Sequence, residues 1–169
     1  MRLLVVRHAI AMEREAFAAT GKDDDLWPLT RTGRRKMRQA AKGLLHLAGR
    51  PDLLVTSPLT RARQTAKILA DIYGVKVVAT VDVLRPESPL PMFAAWASQQ
   101  AGHSTIAIVG HEPHLSGLVT WLMSGGTEPR IVLKKGGACL LSFDGNPRRG
   151  KGVLEWLAKP SQLRVFGAS

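Results

Sequence analysis

Arg7 and His8 follow directly on Leu3-Leu4-Val5-Val6, and Gly110-His111 follows Thr105-Ile106-Ala107-Ile108-Val109. Between them, Leu53-Leu54-Val55-Thr56 runs into Ser57-Pro58-Leu59-Thr60-Arg61. Each is a short apolar run that ends abruptly in polar residues able to do chemistry. An imidazole can act as a nucleophile. A guanidinium binds a phosphoryl group through paired N–H donors. Two histidines and two arginines drawn to one point repel each other unless an anion sits between them, and a phosphate or sulfate group fits that requirement. A plainer account of the first pair is that His8 caps a strand end and Arg7 is solvated.

If the three runs are parallel neighbours in a sheet, their carboxyl ends share one rim, which is where open α/β sheets bind ligands. His8 would then attack phosphorus in line and become a phosphohistidine, which water hydrolyses. Arg7, Arg61 and His111 would hold the equatorial oxygens and stabilise the charge spread over them. For this His8 must be neutral at its attacking nitrogen, with the other nitrogen donating to a backbone carbonyl. The surrounding positive charge favours the neutral form.

The elements that must position these groups can be read along the chain. Apolar runs such as Leu3–Val6 predict strands buried on both faces. Ile10 to Trp27 reads as a surface loop bordering a pocket, with a short helical piece and Asp23, Asp24 and Asp25 solvated. Thr30 or Thr32 caps a helix in which Met37, Ala40, Ala41, Leu44 and Leu45 recur at helical spacing, stopped by Gly49-Arg50-Pro51. Thr60 to Tyr73 reads as a helix, Val75 to Val78 as a third strand, Met92 to Gln100 as a short helix and His114 to Met123 as another. Ala138–Phe143 and Val153–Leu157, joined by Asp144-Gly145-Asn146-Pro147, predict an antiparallel pair at the edge of the sheet. The expected fold is one α/β domain over residues 1–169: a three-layer α/β/α sandwich with a largely parallel central sheet and an antiparallel edge strand. The order of the strands is not readable.

Composition bounds the function. With 169 residues, 45% hydrophobic and 22% charged, the chain is of ordinary globular make-up. It has no apolar run near the ~20 residues of a membrane span, and Met1-Arg2 does not open a secretory leader. A single cysteine, Cys139, excludes an internal disulfide, and no metal-type Cys/His spacing exists; this permits the cytoplasmic location we expect, and no cofactor is expected. The net charge of +11 suits either a generally basic surface or attraction of a phosphorylated partner. Aromatic residues are only 5%, and no recognition-helix or finger motif accompanies the charge, which argues against nucleic acid.

Arg7-His8-Ala9, Ser57-Pro58-x-x-Arg61-x-x-Gln64-Thr65 and Gly110-His111-Glu112-Pro113, in this order, resemble the histidine phosphatase superfamily, with its phosphoglycerate-mutase-like fold. The short length, the Pro28-Leu29-Thr30-x-x-Gly33 block and Pro160-Ser161-Gln162-Leu163 resemble its SixA branch, the phosphohistidine phosphatases. The resemblance runs from residue 2 to about residue 163. It implies that His8 carries the covalent phosphate, that Arg7, Arg61 and His111 complete the pocket, and that no cofactor takes part. Ala9 stands where many members have glycine. Larger relatives protonate the leaving oxygen with a carboxylate, and Glu87 and Glu112 are the candidates here. A phosphohistidine leaves as imidazole, a better leaving group than an alkoxide, so it needs less proton donation. The chain also lacks the long inserted lid of ester-specific relatives, which suits a phosphohistidine displayed on a partner protein and a basic rim that draws in an acidic surface. The alternatives are a general phosphomonoesterase acting on a small phosphorylated substrate and a non-catalytic module that binds phosphohistidine or polyanions. Arg63 is expected to be solvated, and Gln64 and Thr65 to steady the helix start or the loop beneath the site. His46, His103 and His114 are placed on surfaces. Trp96, Trp121 and Trp156 are placed in the core, leaving Trp27 as the tryptophan able to line the pocket.

Overall fold

The computed structural model describes residues 1–76 and 78–168. Six strands form one sheet in the order β3-β2-β4-β1-β5-β6, with β1 at Arg2–Arg7, β2 at Leu53–Thr56, β3 at Ala79–Thr80, β4 at Thr105–Gly110, β5 at Ala138–Ser142 and β6 at Val153–Ala158. Six helices join them: α1 (Arg14–Ala18), α2 (Arg31–Ala48), α3 (Thr60–Tyr73), α4 (Leu90–Ser98), α5 (His114–Ser124) and α6 (Pro160–Phe166). No helix among the described residues is long and apolar enough to cross a membrane.

The two inner strands explain the layering. Leu3, Leu4, Val5 and Val6 are all fully buried, as are Ile106 to Val109. Side chains alternate across a sheet. Leu4 and Val6 therefore join Met37, Leu44, Leu69 and Leu163 on the face covered by α2, α3 and α6. Leu3 and Val5 join Phe93, Leu115 and Leu118 on the face covered by α4 and α5. Burial of each such side chain is worth about 1.5–3 kcal/mol.

The sheet corrects three expectations in detail. The hairpin does form the sheet's edge, but the strand that opposes the others is β5, one place in; it runs antiparallel to both β1 and β6. The third strand is Ala79–Thr80 rather than Val75–Val78; Val77 lies outside the described residues. The cause is the end of α3: Gly74 takes a left-handed conformation and the Val75 amide donates to Ala70 O at 2.9 Å, so it is spent on the helix cap and not on the sheet. Helix α6 was not foreseen as a helix. It packs on α2 because Gly43 allows the two backbones to approach closely; a side chain at 43 would overlap the carbonyl of Leu163.

Thr30 is the cap of α2: its hydroxyl accepts from the Gly33 amide at 2.8 Å. Gly33 brings that first turn against the segment after β1, where a side chain would overlap the Ile10 carbonyl oxygen. Gly33→Ala is therefore expected to lower stability by about 1–3 kcal/mol, measured by urea unfolding; an unchanged midpoint would contradict this packing.

Candidate active site

β2, β4 and β1 are adjacent and parallel, with Arg7 level with Gly110 and Thr56 level with Val109. The next residues stay in register: His8 N donates to Gly110 O at 3.0 Å, and Ser57 N donates to Val109 O at 3.0 Å. The three tips thus meet on one rim. The rings of His8 and His111 have centroids 5.3 Å apart, tilted by 51°.

The orientation of His8 is set locally. Its Nδ1 lies 2.7 Å from the carbonyl oxygen of Ala9. A carbonyl only accepts, so Nδ1 carries the proton and Nε2 keeps its lone pair. The Ala9 amide donates to Thr65 Oγ1 at 3.0 Å, and that hydroxyl donates to Arg61 O at 2.8 Å. The segment after β1 is thereby tied to the first turns of α3, the helix that carries Arg61. Gln64 accepts from the Leu29 amide at 2.8 Å and steadies the neighbouring loop. Arg63 is exposed and, among the described residues, forms no hydrogen bond or ion pair with Arg7, His8, Arg61 or His111.

Arg61 is 6% exposed. Its Nη1 donates to Asp24 O at 3.1 Å, its Nη2 lies 3.5 Å from Asp24 Oδ2, and its guanidinium stacks on Trp27 at 4.9 Å from the ring centroid. Trp27 in turn stacks on Phe17 and donates to Met12 O at 2.9 Å. The long loop after β1 is therefore fastened over the rim by Arg61, with Trp27 beside it. The aspartates are not simply solvated: Asp24 engages Arg61, and Asp25 pairs with Arg85 at 3.1 Å. Opposite charge explains the difference, since these carboxylates face the basic rim.

Arg7 is anchored by one end, with Nη1 donating to Leu133 O at 2.9 Å, while its buried Nε has no hydrogen-bond partner among the described residues. His111 Nε2 lies 2.8 Å from Ser57 Oγ, which also accepts from the Leu59 amide at 3.3 Å. His111 Nδ1 is buried and likewise has no partner among the described residues; it carries the ring proton in the tautomer in which the Ser57 hydroxyl donates to Nε2.

Burial dominates the titration of both rings. His8 is lowered to about 4, by burial first and then by Arg61, Arg7 and Lys135, against a raising contribution from its bond to Ala9. His111 is lowered to about 2, by burial and then by His8, Arg61, His114 and Arg7. Burial also lowers Arg7 and Arg61, partly offset by Glu112 beside the first and Asp24 beside the second. Both imidazoles are neutral near pH 7, flanked by two guanidiniums.

Two candidate carboxylates lie at the margin. Glu112 caps the start of α5, with Oε1 accepting from the Ser116 amide at 2.9 Å, and acts on Arg7. Glu87 is exposed and lies near His114, whose affinity for a proton is lowered by burial and only partly restored by Ser88 and Glu87. Neither hydrogen-bonds to His8, Arg7, Arg61 or His111. His114, expected at the surface, is instead 6% exposed with both ring nitrogens unpartnered among the described residues. Its position on the first turn of α5 turns it under the loop that holds Glu87 and Ser88. Sequence reasoning missed Lys135 and the Leu133 carbonyl, which reach the rim from the segment before β5; a lysine pair at 134–135 carries no signal of its own. Trp121 is core, whereas Trp96 and Trp156 are only half-buried.

A sequence model of the histidine phosphatase superfamily (branch 1) matches residues 3–85. An uncharacterized protein of Picosynechococcus sp. is 34% identical over 139 residues, 81% of this chain and 82% of that protein. The chain belongs to the histidine phosphatase superfamily. Among solved structures, the protein histidine phosphatase SixA complexed with tungstate superposes with a TM-score of 0.81 at 22% identity, covering 96% of this chain and 99% of that one. A phosphoserine phosphatase of Entamoeba histolytica in complex with phosphoserine gives 0.68 at 18% identity, covering 96% and 98%. These two likenesses establish the shared fold.

The neutral rings set a pH dependence. An unfolded histidine titrates near 6.5, the folded His8 at about 4. Stability owed to the neutral buried ring is complete above about 6.5 and is lost as the pH falls toward 4. NMR titration of the ring protons should place His8 far below 6.5, and thermal melts should fall through the same window. A His8 midpoint near 6.5 would overturn this account of the site.

Proposed function

We propose that the chain is a phosphatase that hydrolyses phosphohistidine on a partner protein through a phosphate carried on His8. The observation that carries this reading is the His8 ring, held by Ala9 with its Nε2 lone pair free and set 5.3 Å from His111. Nε2 attacks phosphorus, a new N–P bond forms, and the P–N bond to the substrate imidazole breaks, that imidazole taking up a proton from solvent water. Water then attacks phosphorus, inorganic phosphate leaves, and the electron pair of the N–P bond returns to Nε2. Arg7 Nε and the His111 Nδ1–H are the buried donors an equatorial oxygen would satisfy, and Arg61 adds the second guanidinium. The closer superposition on tungstate-bound SixA than on the phosphoserine phosphatase supports the SixA branch, and tungstate is a phosphate-like oxyanion.

Proton donation distinguishes the substrates. Glu112 is committed to the α5 cap and Glu87 is exposed. An imidazole leaving group fits a site with so little acid at hand; an alkoxide does not.

Alkaline quenching during turnover of a synthetic phosphohistidine peptide should trap acid-labile phosphate on His8. His8→Ala should lose on the order of 10³-fold or more in kcat. The peptide should exceed phenyl phosphate in kcat/KM by on the order of 100-fold; equal values would favour the general phosphomonoesterase, and no phosphoryl transfer at all would favour a binding module. Glu87→Gln and Glu112→Gln should each leave peptide cleavage within about twofold while phenyl phosphate cleavage falls about tenfold or more for whichever residue donates the proton. A large loss on the peptide would assign that carboxylate an acid role in the reaction proposed here.

A further inference from the structure

Beside the rim, between α2 and α3 and below the ends of β2 and β3, lies a second cleft of about 500 Å³. Arg34 and Arg38 enter it from α2, Arg63 and Lys67 from α3, and Thr60 and Gln64 lie on its wall. Lys67 is paired with Asp71. Arg34, Arg38 and Arg63 form no ion pair and no side-chain hydrogen bond with any described residue. Thr60 adjoins Arg61, and Thr56, also on the wall, adjoins Ser57, so the cleft opens one residue away from the phosphoryl rim.

The charge here is not what folding alone selects. Helix α2 carries six lysines and arginines, namely Arg31, Arg34, Arg35, Lys36, Arg38 and Lys42, and no carboxylate, against a net charge of +11 for the whole chain. Three of the six lie within the first five residues, where the helix dipole already presents positive charge and disfavours cations. An arrangement that costs stability locally is explained by something it binds. Of the six, Arg34 and Arg38 line the cleft, ~6 Å apart along the axis. A neighbouring surface hollow lined by Arg31 and Arg35 shares both, so the positive surface continues beyond the cleft and exceeds what a single phosphate would occupy. Among the described residues no aromatic side chain lines the cleft to stack a base, as single-stranded nucleic acid requires. An extended run of carboxylates meets both conditions.

We propose that this cleft, through Arg34, Arg38 and Arg63, receives an acidic segment of the protein that carries the phosphohistidine, next to the residue being dephosphorylated. The inference rests on the phosphohistidine reading for its substrate, but the cleft is a separate surface with its own test.

Two synthetic peptides carry one phosphohistidine each, flanked by glutamates in one and by glutamines in the other. At low salt the wild-type protein should favour the acidic peptide by on the order of tenfold in kcat/KM. The preference should vanish in the Arg34→Gln/Arg38→Gln/Arg63→Gln variant and fade for wild type in 0.5 M salt, taken as roughly a 4–5 Å screening length. The readout is a ratio within one enzyme, so a change at the catalytic centre cancels. Equal kcat/KM for the two peptides in wild type, or a preference that survives in the triple variant, overturns the inference. If neither peptide is cleaved, the phosphohistidine reading fails instead. The cleft is then decided by fluorescence anisotropy with the unphosphorylated acidic peptide: binding lost in the triple variant upholds it, and no binding overturns it. A single-stranded RNA oligonucleotide bound more tightly than that peptide, through the same arginines, also overturns it in favour of nucleic acid.

Discussion

The site depends on the register of three parallel strands. Arg7 stands level with Gly110, and the amides of His8 and Ser57 continue the ladder onto Gly110 and Val109. Because side chains alternate along a strand, a slip of one residue would exchange the two faces of β1 and send Leu4 and Val6 to the wrong layer. The same packing that buries Leu3 to Val6 therefore also decides where His8 emerges. Hydrophobic burial on both faces makes the slip costly, and the positions of the two imidazoles inherit that cost.

Around this frame the protein holds basic groups close together without making them all cations. Burial keeps His8 and His111 neutral, and the guanidiniums keep them so. Each imidazole has one nitrogen committed, His8 to the Ala9 carbonyl and His111 to the Ser57 hydroxyl. The Ala9 carbonyl only accepts, so it fixes the His8 proton on Nδ1 and leaves Nε2 its lone pair, which no amount of positive charge alone would do. The chain's membership of the histidine phosphatase superfamily sits with a rim in which both rings are held by neighbours in sequence and in the sheet.

Much of this was legible before any coordinates. Arg7-His8, Ser57 to Arg61 and Gly110-His111 each terminate an apolar run, and the parallel arrangement brings their ends together as expected. Helix α3 over Thr60–Tyr73 and the Thr30 cap were readable because periodicity and capping chemistry are local. What was not legible depended on distant partners. The Val75–Val78 run looks like a strand, yet the cap of the preceding helix takes the Val75 amide. Asp24 looks solvated until Arg61 comes to it from another element. His114 looks exposed because nothing in its neighbourhood in sequence announces the loop that covers it. Lys135 has no pattern at all; only the fold brings it near His8.

Arg61 has two employers. It belongs to the rim, and it also clasps the loop after β1 through the Asp24 carbonyl, the Asp24 carboxylate and the face of Trp27. A guanidinium has five N–H groups, and Asp24 engages Nη1 and Nη2 of this one. Were the rim to take up a phosphoryl group, as proposed above, that group and the loop after β1 would draw on the same guanidinium. The indole of Trp27 lies against that guanidinium, so its fluorescence would report any change in the clasp.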